Sequence, residues 1–108
     1  MRLDDLANIE WLEPWSPSSA GLEIELEKEI GNGHPLHGKE AIAVGRRNDQ
    51  DDVLFFLPNN SQPLAVVHLT WKGSTEQSPE WPRTKFYSSL EDWIQHRMNL
   101  DHLELTLG

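Results

Sequence analysis

Apolar residues recur along this chain at two different spacings, one typical of helices and one typical of strands. The helical spacing appears first, because every third residue of positions 3–12 is apolar: Leu3, Leu6, Ile9 and Leu12. Proline cannot continue a helix, so Pro14 ends this segment. These positions predict a short N-terminal helix, and the neighbouring rings of Trp11 and Trp15 are expected to pack it against the rest of the domain.

A second helix is predicted over residues 17–30. Ser16 supplies an N-cap and Pro17 occupies the first helical position, where a missing N–H costs nothing. Apolar residues then recur every four positions up to Gly31, a typical C-terminal cap: Leu22, Leu26 and Ile30. The alternation of Leu22, Ile24 and Leu26 also permits a strand. The interleaved glutamates favour the helix on propensity.

Three strand-like runs follow, over residues 39–47, 52–57 and 64–71. The middle run is apolar on both of its faces, and the last is rich in β-branched and aromatic residues. The connections are too short for parallel crossovers and carry turn residues such as Asn, Asp and Pro. These features predict an antiparallel meander with residues 52–57 as its central strand.

The remainder of the chain is predicted to be a loop followed by a helix. Gly73, Pro79 and Pro82 indicate a loop over residues 72–87, and Ser88 with Glu91 forms a capping box for a helix over residues 88–98. The helix has an apolar stripe with Arg97 at its edge: Leu90, Trp93, Ile94 and Met98. The alternation in residues 103–107 permits a short edge strand or a frayed end.

Together these elements predict one α+β domain over residues 1–108. Its parts are an N-terminal helical segment (1–31), a sheet (39–71), a loop (72–87) and a C-terminal helix (88–98). The expected architecture is a three- or four-stranded antiparallel sheet with two or three helices packed on one face. A length of 108 residues fits one such domain.

Charge and composition narrow the classes of partner and site. Eighteen acidic residues against nine basic ones give a net charge of −9, which repels nucleic acid and anionic membranes and attracts a basic protein. The chain has no cysteine, which excludes disulfides and thiolate metal sites. The first residues lack a secretory signal pattern and no apolar run is long enough to span a bilayer, so a cytoplasmic protein is expected.

Histidines and neighbouring carboxylates supply one candidate site. His34 and His37 flank the entry to the first predicted strand, and His68 lies within the third. With Asp51 or Asp52 they could form a tetrahedral site for a divalent metal such as Zn²⁺, or an acid–base site. A histidine among valines is more often part of a core, and adjacent aspartates on a strand point to opposite faces, which favours turn and strand-end roles for the pair.

Tryptophans and a basic pair supply a second candidate, a surface that binds a partner. Trp81 lies between Glu80 and Pro82 in the predicted loop, and Trp71 ends a predicted strand. A rigid ring on a loop is a typical interface anchor, although it could also fold back over the sheet. Arg46 and Arg47 form a basic pair at a strand end, where solvation or pairing with the acidic turn is expected.

Four short segments carry a resemblance to a known group of proteins. They are His34-Pro35-Leu36-x-Gly38, Asp51-Asp52-Val53-Leu54-Phe55, Val67-His68-Leu69-Thr70-Trp71 and Trp81-Pro82. Over roughly residues 31–95 the chain resembles a group of small bacterial proteins with no established activity. The resemblance implies a bacterial, single-domain, cytoplasmic protein, and it implies no catalytic residue or cofactor.

The residues therefore favour a protein-binding module without catalysis. Phosphate loops, nucleophile elbows and metalloprotease signatures are missing from the sequence, while the acidic charge and the loop tryptophan suit a basic protein partner, as in an immunity protein or an adaptor. The alternative is a small metal- or ligand-binding domain, with or without enzymatic activity, built on His34, His37 and His68. A homodimer formed through an exposed sheet edge is a third hypothesis.

Overall fold

A five-stranded antiparallel sheet lies at the centre of the fold in the computed structural model, which describes residues 1–18 and 21–107. The strands lie in the sheet in their order along the chain: β1 (Trp15–Pro17), β2 (Ile42–Arg47), β3 (Asp52–Phe56), β4 (Leu64–His68) and β5 (Arg83–Tyr87). Every neighbouring pair is antiparallel. The α+β class and the antiparallel meander through β2, β3 and β4 are confirmed, but the expectation of three or four strands was too low.

The helices lie before, between and after the strands. A 3₁₀ turn (Leu3–Leu6) precedes β1, and α1 (Leu22–Glu29) connects β1 to β2. The last strand leads into α2 (Leu90–Trp93), a π-helical segment (Ile94–Met98) and α3 (Asn99–Leu107). Within residues 1–18 and 21–107, no helix is long and apolar enough to cross a membrane.

The sheet is covered on both faces, which corrects the expectation that the helices pack on one. One apolar cluster joins α1 to the sheet and contains Leu22, Leu26, Val53, Phe55 and Val67; we call this side the α1 face. The other joins the N-terminal segment and the C-terminal helices to the sheet and contains Leu6, Trp15, Leu54, Trp93 and Met98; we call this side the C-terminal face. All five residues of β3 are buried, because a central strand between two layers has no exposed face.

The N-terminal thirty residues contain less helix than their spacing predicted. Residues 3–12 form only the single 3₁₀ turn, and Trp15–Pro17 is an edge strand rather than the start of a helix. Trp15 is 1% exposed and lies opposite Arg47, so burial of its ring decides the local structure. Pro17 is tolerated because an edge strand can leave an N–H position unused. Helix α1 begins at Leu22, and the part of the predicted helix at positions 19 and 20 lies outside the described residues.

The predicted loop over residues 72–87 contains the fifth strand. Pro79 and Pro82 both precede β5, so neither removes a donor from its ladder. Arg83 and Lys85 are exposed and lie on the C-terminal face together with buried Tyr87, while Phe86 packs against the α1 face. The alternation of polar and apolar residues in 83–87 is therefore a strand pattern, although the two preceding prolines favour a loop.

The C-terminal helix extends beyond its predicted end at residue 98. Residues 103–107 belong to α3, so neither an edge strand nor a frayed end is formed. The three leucines of this stretch are all exposed, which means that their alternation reflects no buried face: Leu103, Leu105 and Leu107. At the start of α2, Ser89 is the N-cap and accepts a hydrogen bond from the Asp92 N–H, one residue later than the predicted cap Ser88.

Candidate functional site

Three polar side chains form a row across the sheet on its C-terminal face. Asp52 on β3 lies directly opposite His68 on β4, and His68 lies directly opposite Arg83 on β5. Directly opposite residues share a face and have neighbouring side chains. Lys85, two residues along β5, shares this face, since side chains alternate along a strand.

Asp52 is the centre of this row. Its side chain is 8% exposed, and its Oδ1 lies 2.6 Å from His68 Nδ1. Its Oδ2 accepts a hydrogen bond from the Nη2–H of the Arg97 guanidinium. Arg97 belongs to the π-helical segment, and its side chain reaches the sheet from there. Both oxygens of this buried carboxylate therefore have charged or polar donors, as a buried charge requires.

Arg97 connects the row to a second buried carboxylate. Its Nε donates to Asp101 Oδ2 at 2.8 Å, and the Trp15 indole donates to the same oxygen at 2.8 Å. Arg47 lies 3.3 Å from the other oxygen of Asp101. Burial alone would lower the pKa of Arg97, but the hydrogen bond and charge of Asp101 and the charge of Asp52 raise it, so the guanidinium stays charged.

A cleft of about 580 Å³ opens above this row. Its walls carry the polar row, the basic residues of β5 and one tryptophan: Asp52, His68, Trp81, Arg83, Lys85 and Arg97. The Arg83 guanidinium lies 4.9 Å from the centre of the Trp81 ring, a cation–π contact that holds both side chains. The cleft therefore combines an aromatic wall with several cations.

The charge of the cleft is opposite to that of the whole chain. Three of the nine basic residues line it, with His68 beside them, against the single carboxylate of Asp52. In the described part of the chain, no carboxylate lies within 4.0 Å of Arg83 or Lys85. Among the described residues these two charges have no carboxylate counterion, so the local charge of the cleft is positive.

The three histidines of the predicted metal site do not converge. His34 is buried, and both of its ring nitrogens are used: Nδ1 accepts from the Leu36 N–H at 3.0 Å, and Nε2 lies 2.9 Å from the Pro82 carbonyl. His37 lines a different groove beside α1. Over residues 1–18 and 21–107, no group of three His, Asp or Glu side chains is placed to hold a metal ion.

Two members of the predicted set do meet, namely Asp52 and His68. The side chain of Asp51 is exposed and does not join them. The backbone carbonyl of Asp51 instead accepts a hydrogen bond from the Leu69 N–H at 3.0 Å, which connects the ends of β3 and β4. Asp52 is more than a strand-end residue, because it binds both His68 and Arg97.

The residues proposed for partner binding are dispersed. Arg46 and Arg47 are consecutive on β2 and point to opposite faces, and Arg47 is engaged by Asp49 and Asp101. Trp81 is partly buried in the cleft, whereas Trp71 is 51% exposed in the turn after β4. These four residues form no common surface.

Most of the basic side chains of the cleft lie outside the candidate residues that the sequence predicts. Arg83 and Lys85 alternate with Thr84 and Phe86, which was the available signal for a strand with one polar face. For Arg97 the sequence predicts only a position at the edge of a helical stripe. Its two carboxylate partners are 45 and 4 residues away, and only the nearer spacing is a helical one that the sequence could show.

A second groove, of about 550 Å³, lies beside α1. Its floor is apolar and includes Leu26, Ile30 and Leu36, and its rim carries three carboxylates, Glu23, Glu27 and Glu40. Lys39 also lines this groove, but its ammonium donates to Asn60 at 3.2 Å. We call this the acidic groove, since its charge is opposite to that of the cleft.

A buried carboxyl pair joins α1 to the turn after β4. Glu29 is fully buried and accepts from the N–H groups of Thr70 and Trp71, at 2.7 and 3.0 Å. Burial raises the pKa of Glu29, but hydrogen bonds from Glu25, Thr70 and Trp71 lower it overall. The hydrogen bond with Glu29, burial and the repulsion of Glu29 raise the pKa of Glu25 to about 7. Glu25 therefore acts as the proton-bearing member of the pair.

No family model matches this chain, and neither the curated proteins nor the solved structures contain a match. The resemblance to small bacterial proteins thus stays a prediction.

Proposed function

We propose that the protein binds a small anionic ligand, one that carries a carboxylate, sulfate or phosphate group, in the cleft between β5 and the π-helical segment. The observation that carries this proposal is the pair Arg83 and Lys85, which face the cleft without a carboxylate partner among the described residues. In a protein of net charge −9, such cations are more readily paired internally than left open. Their open position supports a ligand that supplies the missing negative charge.

The roles of the basic residues differ. Arg97 is held by Asp52 and Asp101 and is 20% exposed, so it fixes the floor of the cleft rather than reaching for a ligand. Arg83 is steadied by the Trp81 ring, which reduces the conformational freedom that it loses on binding. Lys85 and His68 complete the set of groups that face the ligand. A volume of about 580 Å³ suits a small molecule.

Calorimetric titration with phosphate, sulfate and tartrate tests this proposal. The double variant Arg83→Gln/Lys85→Gln should bind each anion at least about tenfold more weakly, since each charge-assisted contact contributes on the order of 1.5–3 kcal/mol. Lys39→Gln/Lys72→Gln is the matched control, because it removes the same charge outside the cleft. It should change affinity by less than about twofold under screening by 0.1 M salt. Failure of all three anions to bind, or an equal loss in the control, would contradict the proposal.

A second candidate function is the docking of a basic protein segment in the acidic groove. The observation that favours it is the combination of the apolar floor with a rim of Glu23, Glu27 and Glu40. A segment with apolar residues between Lys or Arg side chains complements both features. This candidate keeps the hypothesis of a basic protein partner without catalysis. The proposed binding surface is now the groove beside α1 rather than the tryptophans and the arginine pair.

A further inference from the structure

We infer that the cleft couples anion binding to the uptake of one proton at Nε2 of His68, with Asp52 as the positioning residue. The inference deepens the proposed function and rests on it. It makes the ligand site a site of proton transfer as well.

The hydrogen bonds of Asp52 determine which nitrogen of His68 is free. Asp52 accepts from Arg97 on one oxygen and contacts His68 Nδ1 on the other, at 2.6 Å. Two accepting oxygens are the pattern of a carboxylate, which has no proton to donate, so the proton of this contact belongs to Nδ1. In the neutral ring, Nε2 then carries the lone pair.

The free nitrogen belongs to a side chain that lines the cleft and is 47% exposed. Asp52 and Arg97 hold the ring from one side, and the network of Asp101, Trp15 and Arg47 holds Arg97 in turn. The imidazole therefore keeps its orientation when a ligand enters. A ligand that approaches Arg83 and Lys85 meets an oriented proton acceptor.

The charges around His68 explain why proton uptake and binding are coupled. Asp52 on β3 favours a positive ring, whereas Arg83 and Lys85 on β5 and Arg97 on the helical segment oppose it. An anion neutralises the two β5 cations and adds a negative charge beside the ring, so protonation becomes more favourable on binding. By linkage, protonation of His68 tightens anion binding by the same factor.

The proton is transferred from a hydronium ion or a buffer acid: its bond to that acid breaks as a bond to the Nε2 lone pair forms, and the conjugate base stays in solution. Affinity for a fully ionised anion should consequently rise as the pH falls. The limiting slope is about tenfold per pH unit, which is the value for uptake of one proton.

Calorimetry with sulfate and tartrate at pH 7 measures this proton directly. Neither anion exchanges protons of its own near this pH, so the dependence of the binding enthalpy on the ionisation enthalpy of the buffer reports protons taken up by the protein. The native chain should take up a measurable fraction of one proton. His68→Gln should still bind, more weakly, with no uptake.

His96→Gln is the matched control, because His96 also contacts an aspartate through Nδ1, at 2.8 Å from Asp92, but lies outside the cleft. It should retain the uptake of the native chain. Binding without proton uptake in the native chain, or uptake that persists in His68→Gln, would overturn the inference and leave the anion site intact. Absence of binding by both anions would overturn the proposed function as well.

A measurement on the native chain guards against a variant that does not fold. Nitrogen-15 NMR should show the proton of the neutral His68 ring on Nδ1, and added sulfate should increase the protonated fraction of the ring at a fixed pH. The proton found on Nε2 instead, or a protonated fraction that sulfate leaves unchanged, counts against the inference.

Discussion

Buried carboxylates on the two faces of the sheet are stabilised in different ways. Asp52 is surrounded by donors, with His68 on one oxygen and Arg97 on the other. Glu25 has a second carboxyl, Glu29, as its neighbour, and its Oε2 has no hydrogen-bond partner in the described part of the chain. Both oxygens of Asp52 are thus satisfied by hydrogen bonds, whereas Glu25 is best accommodated as a neutral acid.

The protonation of Glu25 predicts that stability falls as the pH rises from about 4.5 to about 7. The pKa of Glu25 is raised from 4.5 to about 7 in the folded protein, so in this interval the folded state binds more protons than the unfolded state. The free energy of unfolding from urea titrations at several pH values should show this decline. Glu25→Gln should flatten it, since an amide has no proton to lose.

Glu27→Gln is the control for this pH dependence, because Glu27 is exposed on the same helix. The control should decline with pH as the native chain does. An unchanged decline in Glu25→Gln would show that other groups cause it.

The contacts of some site residues can be predicted from the sequence, and those of others cannot. The contact between Asp52 and His68 follows from the register of two adjacent strands, and both residues were candidates from the outset. Arg97 could not be placed in the same way, because its contact with Asp52 spans 45 residues and depends on how the C-terminal helix crosses the sheet. The row across the sheet was predictable in part, and the cationic cleft was not.

At the scale of elements, an irregularity within β2 determines how the N-terminal segment packs on the sheet. The register of β2 against β3 shifts between Ala43 and Gly45, and Gly45 lies under the ring of Trp11. That ring contacts Trp93 edge to face, with centroids 6.0 Å apart. The absence of a side chain at Gly45 thus creates room for the ring that covers this end of the C-terminal face.

Gly45→Ala should destabilise the fold by about 1–3 kcal/mol, the usual cost of overpacking a filled core. A Cβ at this position would collide with the Trp11 ring and approach the Ser16 carbonyl oxygen to 3.2 Å. The backbone of Gly45 lies outside the left-handed region, so the collision is the expected cause of the loss. Urea denaturation measures the change in the free energy of unfolding.

A double-mutant cycle with Trp11→Leu separates collision from backbone strain. In the Trp11→Leu background, Gly45→Ala should cost less, since the smaller side chain leaves space for the new methyl group. An equal cost in both backgrounds would refute the steric explanation.

Elements with a strong apolar period were predictable, and short elements fixed by packing were not. Residues 42–47, 52–56 and 64–68 form strands as expected, because their composition and burial agree. Residues 15–17 and 83–87 form strands because β2 and β4 offer them an unpaired edge, a tertiary cause that no local window contains. The covering of both faces could have been inferred from residues 52–57, which are apolar on both sides.

At the scale of the whole molecule, charge is separated between the two faces of the sheet. The cleft on the C-terminal face gathers Arg83, Lys85 and Arg97, while the acidic groove beside α1 has a rim of glutamates. A basic partner and an anionic ligand would therefore approach from opposite sides. Binding of one should leave the other site accessible.

If the acidic groove docks a basic segment, a pull-down of the tagged chain from its source cells should capture a basic protein at low salt and release it at high salt. The attraction acts between exposed charges, which are screened beyond about 10 Å at 0.1 M salt. Glu27→Lys/Glu40→Lys should abolish capture. Glu10→Lys/Glu104→Lys makes the same change of net charge away from the groove and should retain it. Salt-insensitive capture, or equal loss in both variants, would exclude the groove as the docking surface.

The two edges of the sheet bear on self-association. An open strand edge can add a strand from another copy and so nucleate aggregates. Here β1 is only three residues long and ends at Pro17, while β5 presents Arg83 and Lys85 in alternation along the opposite edge. Like charges at these positions would repel the β5 of a second copy, which disfavours pairing of two chains through this edge. The same substitutions that weaken ligand binding would therefore also remove this repulsion from the open edge of β5.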